Sequence, residues 1–140
     1  MTTEEVSRNS AGERRGCGRL RPSPPHVQPR VRRIDAGTAL FSGDGPDGFA
    51  ELRFRASLYT GALDAYLEEL YVVPKRRGQG LGRALLEAAM DVARKRGAAR
   101  IDLNTSASDV AARALYEGAG FTNREGGPEG PTTLYYERNL

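Results

Sequence analysis

Cysteine is all but absent. Cys17 is the only one in 140 residues and sits among arginines and glycines, so neither a disulfide framework nor a cysteine metal site is available. The single histidine, His26, stands in a proline-rich stretch, which leaves no histidine metal set. Cys17, with no other histidine to activate it, reads as a tail thiol rather than a nucleophile. No apolar run approaches the ~18 residues that a membrane span needs. The start, Met1-Thr2-Thr3-Glu4-Glu5, carries acids where an export signal has cations and then an apolar segment, so a cytoplasmic location is expected. Internal repeats are lacking too, and 39% hydrophobic residues suit one domain with one core.

What charge there is lies unevenly. The net is +3 with a sequence pI near 9.3. Residues 1–33 hold eight arginines against Glu4, Glu5 and Glu13, a net of +5, whereas residues 34–140 carry a net of −2. The presumed folded body is therefore slightly acidic, and nucleic-acid binding is confined to the basic segment, for which a solvated arm is the favoured alternative. Residues 1–30, with Pro22, Pro24, Pro25 and Pro29 and no periodic apolar pattern, read as a disordered Arg/Pro/Gly-rich tail. Residues 31–140 read as the domain.

Within the domain, weak strand signals run from Val31 to Phe41. Ser42 to Gly48 is a turn cluster, and Phe49 to Leu58 alternates as a second strand, completing a hairpin. A strand follows at 65–73 and is stopped by Pro74. From Leu81 to Arg96 the apolar stripe Leu81, Leu85, Ala88, Val92 predicts a helix, with Asp91 set to pair with Lys95 and Gly97 as its left-handed stop. Ala99–Leu103 reads as a short buried strand, 108–118 as a helix capped by Ser106 or Ser108, and Thr132–Glu137 as a last strand. Together these predict an α/β fold of the α+β kind, a mixed sheet flanked by helices.

Arg77-Gly78-Gln79-Gly80-Leu81-Gly82, between the strand at 65–73 and the helix, is the most informative stretch. Glycines at alternate positions before a helix let a ligand approach the backbone, and the unpaired N–H groups of the first helical turn suit an anion such as a pyrophosphate. A Walker loop is excluded because no Gly-Lys-Ser/Thr follows. A G-x-G-x-x-G fingerprint is excluded because its last position falls on Arg83 or Leu85. What remains is R-x-x-G-x-G, filled by Arg77, Gly80 and Gly82.

That pattern resembles the acetyl-coenzyme A binding signature of the GNAT (GCN5-related N-acetyltransferase) family. A second block, Asp109 to Phe121, is similar to the family's N-x-x-A-x-x-L-Y-x-x-x-G-F element at Ala112, Leu115, Tyr116, Gly120 and Phe121, with Asp109 where Asn is usual. The resemblance covers roughly residues 31–140. It implies a central twisted, mostly antiparallel sheet in which the strands at 65–73 and 99–104 splay apart around the cofactor's pantetheine arm. The family usually begins with a strand and two helices that wall the acceptor pocket, and the Arg/Pro/Gly-rich composition of residues 1–30 predicts that those helices are not formed there.

The resemblance further implies an N-acetyltransferase that moves an acetyl group from acetyl-CoA to a primary amine, small-molecule or peptide, by direct attack in a ternary complex. An alkyl amine has a pKa of about 10, so a base is needed at neutral pH. By the family's pattern Glu68 is that base and Glu69 the reserve; strand alternation puts Tyr66, Glu68, Leu70 and Val72 on one face, a parity that a bulge would reverse. The alternative is that both acids sit at a wet sheet edge pairing with Arg53 or Arg55. A backbone N–H around Leu70 to Val72 would polarise the thioester carbonyl. Tyr116 would meet the leaving thiolate, its phenol pKa of about 10 lying above a thiol's of about 8.5; the alternative is a core aromatic. The implied cofactor contacts are Leu70, Val72, Arg77, Gly78, Gln79, Gly80, Gly82 and Arg83. Asp109 departs from the family pattern: an ionised carboxylate only accepts, so that contact is lost, bridged by water or turned into a helix cap. No metal is implied. A coenzyme A binding module without turnover is the other class the sequence leaves open, as is a homodimer.

Overall fold

The structure is a computed structural model. It describes the backbone of residues 30–34 and 37–42 and all of residues 47–140. The tail expected over 1–30, with Cys17 and His26, lies outside the described residues except for Arg30, which begins β1.

Five strands form one sheet in chain order: β1 (Arg30–Ile34), β2 (Gly37–Ser42), β3 (Gly48–Ala56), β4 (Leu63–Val72) and β5 (Ala98–Asp102). The first four are antiparallel. β5 runs parallel to β4 and reaches it through a 3-10 turn at Pro74–Arg76 and helix α1 (Leu81–Lys95), as a parallel pair requires of its crossover. Helix α2 (Val110–Gly118) follows. The expected mixed sheet with helices is therefore present. The span from Val31 to Phe41 holds two antiparallel strands rather than one, joined in register from Ile34↔Gly37 to Arg30↔Phe41.

Alternation along β3 and β4 sets the core. Ala50, Leu52, Ala65 and Leu67 point to the face that α1 covers with Leu81, Leu85, Leu86, Ala89 and Ala93. Leu52, Leu85 and Leu86 are fully buried, each stabilising the fold by about 1.5–3 kcal/mol relative to exposure. The buried stripe is thus rotated from the expected one: Ala88 and Val92 flank it, half-buried, while Leu86, Ala89 and Ala93 fill its centre. Two small alanines on that stripe, Ala89 and Ala93, let the helix approach the sheet closely. Gly97, at φ 77°, ends α1 as expected. Asp91 pairs with Arg94 at 2.8 Å, not with Lys95, because the guanidinium one turn down reaches it first.

Three further expectations change. β5 is an edge strand with Ala99 and Arg100 exposed, not a buried one. Asp109, not Ser106 or Ser108, caps α2: its Oδ1 accepts from the Ala112 N–H at 3.0 Å. Thr132–Glu137 does not form a strand; only the bridge Arg124↔Thr132 pairs, and Leu134, Tyr135 and Tyr136 remain exposed, so no burial drives pairing further.

The sheet face away from α1 is ionic. Asp64, almost fully buried, accepts from the Thr60 hydroxyl at 3.3 Å, and Asp102 is shared by Arg55 at 2.9 Å and Arg100 at 3.0 Å.

Candidate functional site

The turn between β4 and α1 presents a row of free backbone donors. Gly78 and Gly80 take left-handed conformations, φ 72° and 83°, and Gly80 is the N-cap of α1. The first helical bond runs from the Ala84 N–H to the Gly80 carbonyl at 3.0 Å. Among the described residues the N–H groups of Gly78, Gln79, Gly80, Leu81, Gly82 and Arg83 therefore have no partner. Donors of this kind at a helix N-terminus, with glycines bent the left-handed way, form a concave anion site. The three glycines differ in what holds them. A Cβ at Gly78 or Gly80 would meet open space, so those two are set by backbone conformation, whereas one at Gly82 would lie 3.5 Å from Leu115 and 3.8 Å from Val72, where β4, α1 and α2 meet.

The side chains around the turn are mostly engaged. Arg77 Nε donates to the Val72 carbonyl at 2.9 Å, Gln79 Nε2 to the Lys75 carbonyl at 3.4 Å, and Arg83 pairs with Glu87 at 3.1 Å. Arg76 lies 3.5 Å from Asp47. Lys75 is exposed and has no ion pair among the described residues.

Next to this turn the sheet opens. β4 and β5 pair from Leu63↔Ala98 to Tyr66↔Asp102, with a register shift between Leu63 and Asp64, after which β4 runs on to Val72 with no strand on that side among the described residues. The expected splay is therefore present, and the edge of β4 that includes Leu70 and Val72 borders it. Leu70 and Val72 turn their side chains to the core.

A bulge interrupts β4 at the expected base. Glu51 pairs with Glu69 and Leu52 with Leu67, which leaves Glu68 as the extra residue. Parity reverses there. Leu67, Leu70 and Val72 share the α1 face, while Tyr66, Glu69 and Tyr71 share the other, where Tyr71 packs on Phe49 at 5.9 Å. This corrects the alternation that grouped Tyr66, Glu68, Leu70 and Val72. The Glu68 carboxylate lies 3.1 Å from Arg53 Nε, and Glu69 has no ion pair among the described residues.

Tyr116, on α2, is half-buried against the core and meets Phe121 edge-on at 6.0 Å. Burial first, and the Asp109 carboxylate second, raise its phenol above the usual value, so it is protonated at neutral pH. Its hydroxyl has no hydrogen-bond partner among the described residues. Asp109, spent as the α2 cap, has its carboxylate turned to the helix start.

Asn104 belongs to this region and no motif singled it out. Its Oδ1 accepts a hydrogen bond from the Tyr66 hydroxyl, which ties the last paired residue of β4 to the chain just past β5. The Tyr66 phenol is raised by burial, then by Tyr135 and Glu68. An Asn two residues past a strand has no pattern of its own; only the strand pairing brings it opposite Tyr66.

The acetyltransferase (GNAT) family model matches residues 12–121, most of the chain. The mycothiol acetyltransferase of Beutenbergia cavernae is 46% identical over 70 residues, which are 48% of this chain and 24% of that protein. A [ribosomal protein bS18]-alanine N-acetyltransferase of Escherichia coli K12 is 50% identical over 58 residues, 41% of this chain and 39% of that protein. The chain thus spans well under half the length of these two relatives. A solved structure from Arthrobacter sp. FB24, with an acetyltransferase assignment, superposes with a TM-score of 0.69 at 42% identity, covering 76% of this chain and 68% of that one. Among the described residues no helix is long and apolar enough to cross a membrane.

Proposed function

The chain belongs to the acetyltransferase (GNAT) family, and from that membership we propose that it carries an acetyl group from acetyl-CoA to a primary amine by direct attack in a ternary complex. The observation that carries this is the row of unpartnered N–H groups from Gly78 to Arg83, set at the foot of α1 beside the opening between β4 and β5. Backbone donors hold the diphosphate, with Lys75 as the free cation nearest in sequence. The thioester arm runs along the open edge of β4, where a main-chain N–H near Leu70 to Val72 polarises the carbonyl.

The amine reaches the carbonyl from the sheet face away from α1. Glu69 is the carboxylate best suited to take its proton, because Glu68 is held by Arg53. As the carbon–sulfur bond breaks, the protonated Tyr116 phenol donates to the departing thiolate, its raised pKa keeping the proton available throughout the neutral range. Relatives that act on mycothiol and on a ribosomal-protein alanine support amine acceptors as a class.

A second reading is a coenzyme A binding module without turnover. It is favoured by one observation: no helix among the described residues covers the face of β3 and β4 away from α1. Titration of acetyl-CoA into the wild type and Gly80→Arg, followed by thiol release against a panel of amines, separates the two. Binding with release on some amine supports the enzyme. Binding without release on any supports the module, and no binding removes both.

A further inference from the structure

Arg77 opens the R-x-x-G-x-G pattern, and its charge suggests a phosphate contact. Its side chain does something else. Nε donates to the Val72 carbonyl at 2.9 Å, and the guanidinium carbon lies 5.8 Å from the centre of the Tyr71 ring. Tyr71 packs on Phe49, and the Val73 N–H bonds the Asp47 carbonyl at 2.8 Å, so the end of β4 is fixed to the start of β3. Arg77 thus joins the last residues of β4 to the turn from which the free N–H row begins.

We infer that Arg77 is a positioning residue: its Nε–H ties the Val72 carbonyl to the turn and so sets the donor row of residues 78–83 in line with the open edge of β4. This rests on the acetyl-transfer reading above, because it concerns how the diphosphate site and the thioester site of one ligand are kept in register. Val72 is the last residue of β4, its far side has no β5 neighbour, and β4 stops before Pro74. Without a side-chain donor, that carbonyl would face the opening unpaired.

The bond geometry gives a sharp test. Nε of arginine and Nε2 of glutamine stand the same number of bonds from Cα, so Arg77→Gln keeps a donor at that atom and loses the charge. Arg77→Lys does the reverse: it keeps the charge, with a methylene where the donor was. A phosphate contact requires lysine to be the better substitute; the strap requires glutamine.

The experiment compares both variants with the wild type in acetyl-CoA affinity, in kcat, and in hydrogen exchange of the Val73, Arg76 and Arg77 amides without ligand. Each of those amides bonds a carbonyl of the same segment or of Asp47. The expected result is that Arg77→Gln stays within about threefold of wild type in affinity and kcat, while Arg77→Lys loses about tenfold or more in both and its turn amides exchange faster. Lysine equalling or exceeding glutamine in affinity, with exchange unchanged in both variants, would overturn the inference. Because the exchange is read on the unliganded protein, it still decides the strap if the wild type binds no acetyl-CoA.

Discussion

Glu68 Oε2 lies 3.1 Å from Arg53 Nε, and Glu68 is the residue of β4 that has no partner in its register with β3. One extra residue thereby separates two adjacent carboxylates that the sequence presents as equivalent. Glu68 is an exposed ion pair that contributes at most about 1 kcal/mol. Glu69 stands directly across from Glu51, on the face that Tyr66 and Tyr71 share.

The first prediction follows from that split. Glu69→Gln should lower kcat/KM by about 10²-fold or more, the scale of a lost general base, while Glu68→Gln should lower it less than about tenfold. Steady-state rates of the two variants across pH check this, and the acid limb of the profile should disappear only in Glu69→Gln.

Tyr116→Phe should keep acetyl-CoA affinity and lose turnover by about 10²-fold. Its hydroxyl has no partner among the described residues, so the variant should be about as stable as wild type at neutral pH. Thiol-release rates beside a binding isotherm make the comparison, and equal rates would remove Tyr116 from the mechanism.

Both raised phenols, Tyr66 and Tyr116, link stability to alkaline pH. Each binds its proton more tightly in the fold than in the unfolded chain. Their contribution is therefore fully present below the unfolded value of about 10 and is lost as pH rises through the higher folded values. Urea midpoints should be flat in this respect from neutral pH to about 9.5 and fall beyond 10, with a shallower fall in Tyr116→Phe.

The glycines separate by mechanism. A Cβ on Gly48 would lie 2.6 Å from the Tyr71 carbonyl oxygen, so Gly48→Ala should destabilise the fold by about 2–4 kcal/mol. Gly82→Ala meets only ordinary contacts and should be tolerated. Gly80→Arg forces a side chain into φ 83°, at a cost of about 1–2 kcal/mol, and should abolish acetyl-CoA binding while leaving a cooperative melt. Thermal melts of the three variants test the order.

Much of this architecture is written locally. The β4 run, the alternating glycines, the span of α1 and the Gly97 stop each depend on a few neighbouring residues, and each is found close to where the pattern puts it. The mixed sheet followed from those; the splay came with the family resemblance, which rests on the glycine motif together with the block from Asp109 to Phe121. What was not legible depends on partners distant in sequence. The bulge at Glu68 exists only in register with β3, the α1 stripe is rotated by contact with the sheet, and the Tyr66–Asn104 bridge needs β4 beside β5. The strand expected over Thr132–Glu137 had the right residue types, yet propensity without a burying neighbour does not make a strand. Asp109 shows the limit of motif matching: the same position that carries an amide in the family carries a cap here.

The central claim is that backbone donors from Gly78 to Arg83 hold the diphosphate of an acyl carrier. Isothermal titration of acetyl-CoA, and of S-acetylpantetheine, which lacks the phosphates, into wild type and Gly80→Arg tests it most directly. The predicted result is saturable binding of acetyl-CoA to the wild type alone, with S-acetylpantetheine weaker by about tenfold or more. No heat of association with acetyl-CoA at millimolar concentration, or equal binding by Gly80→Arg, would contradict it.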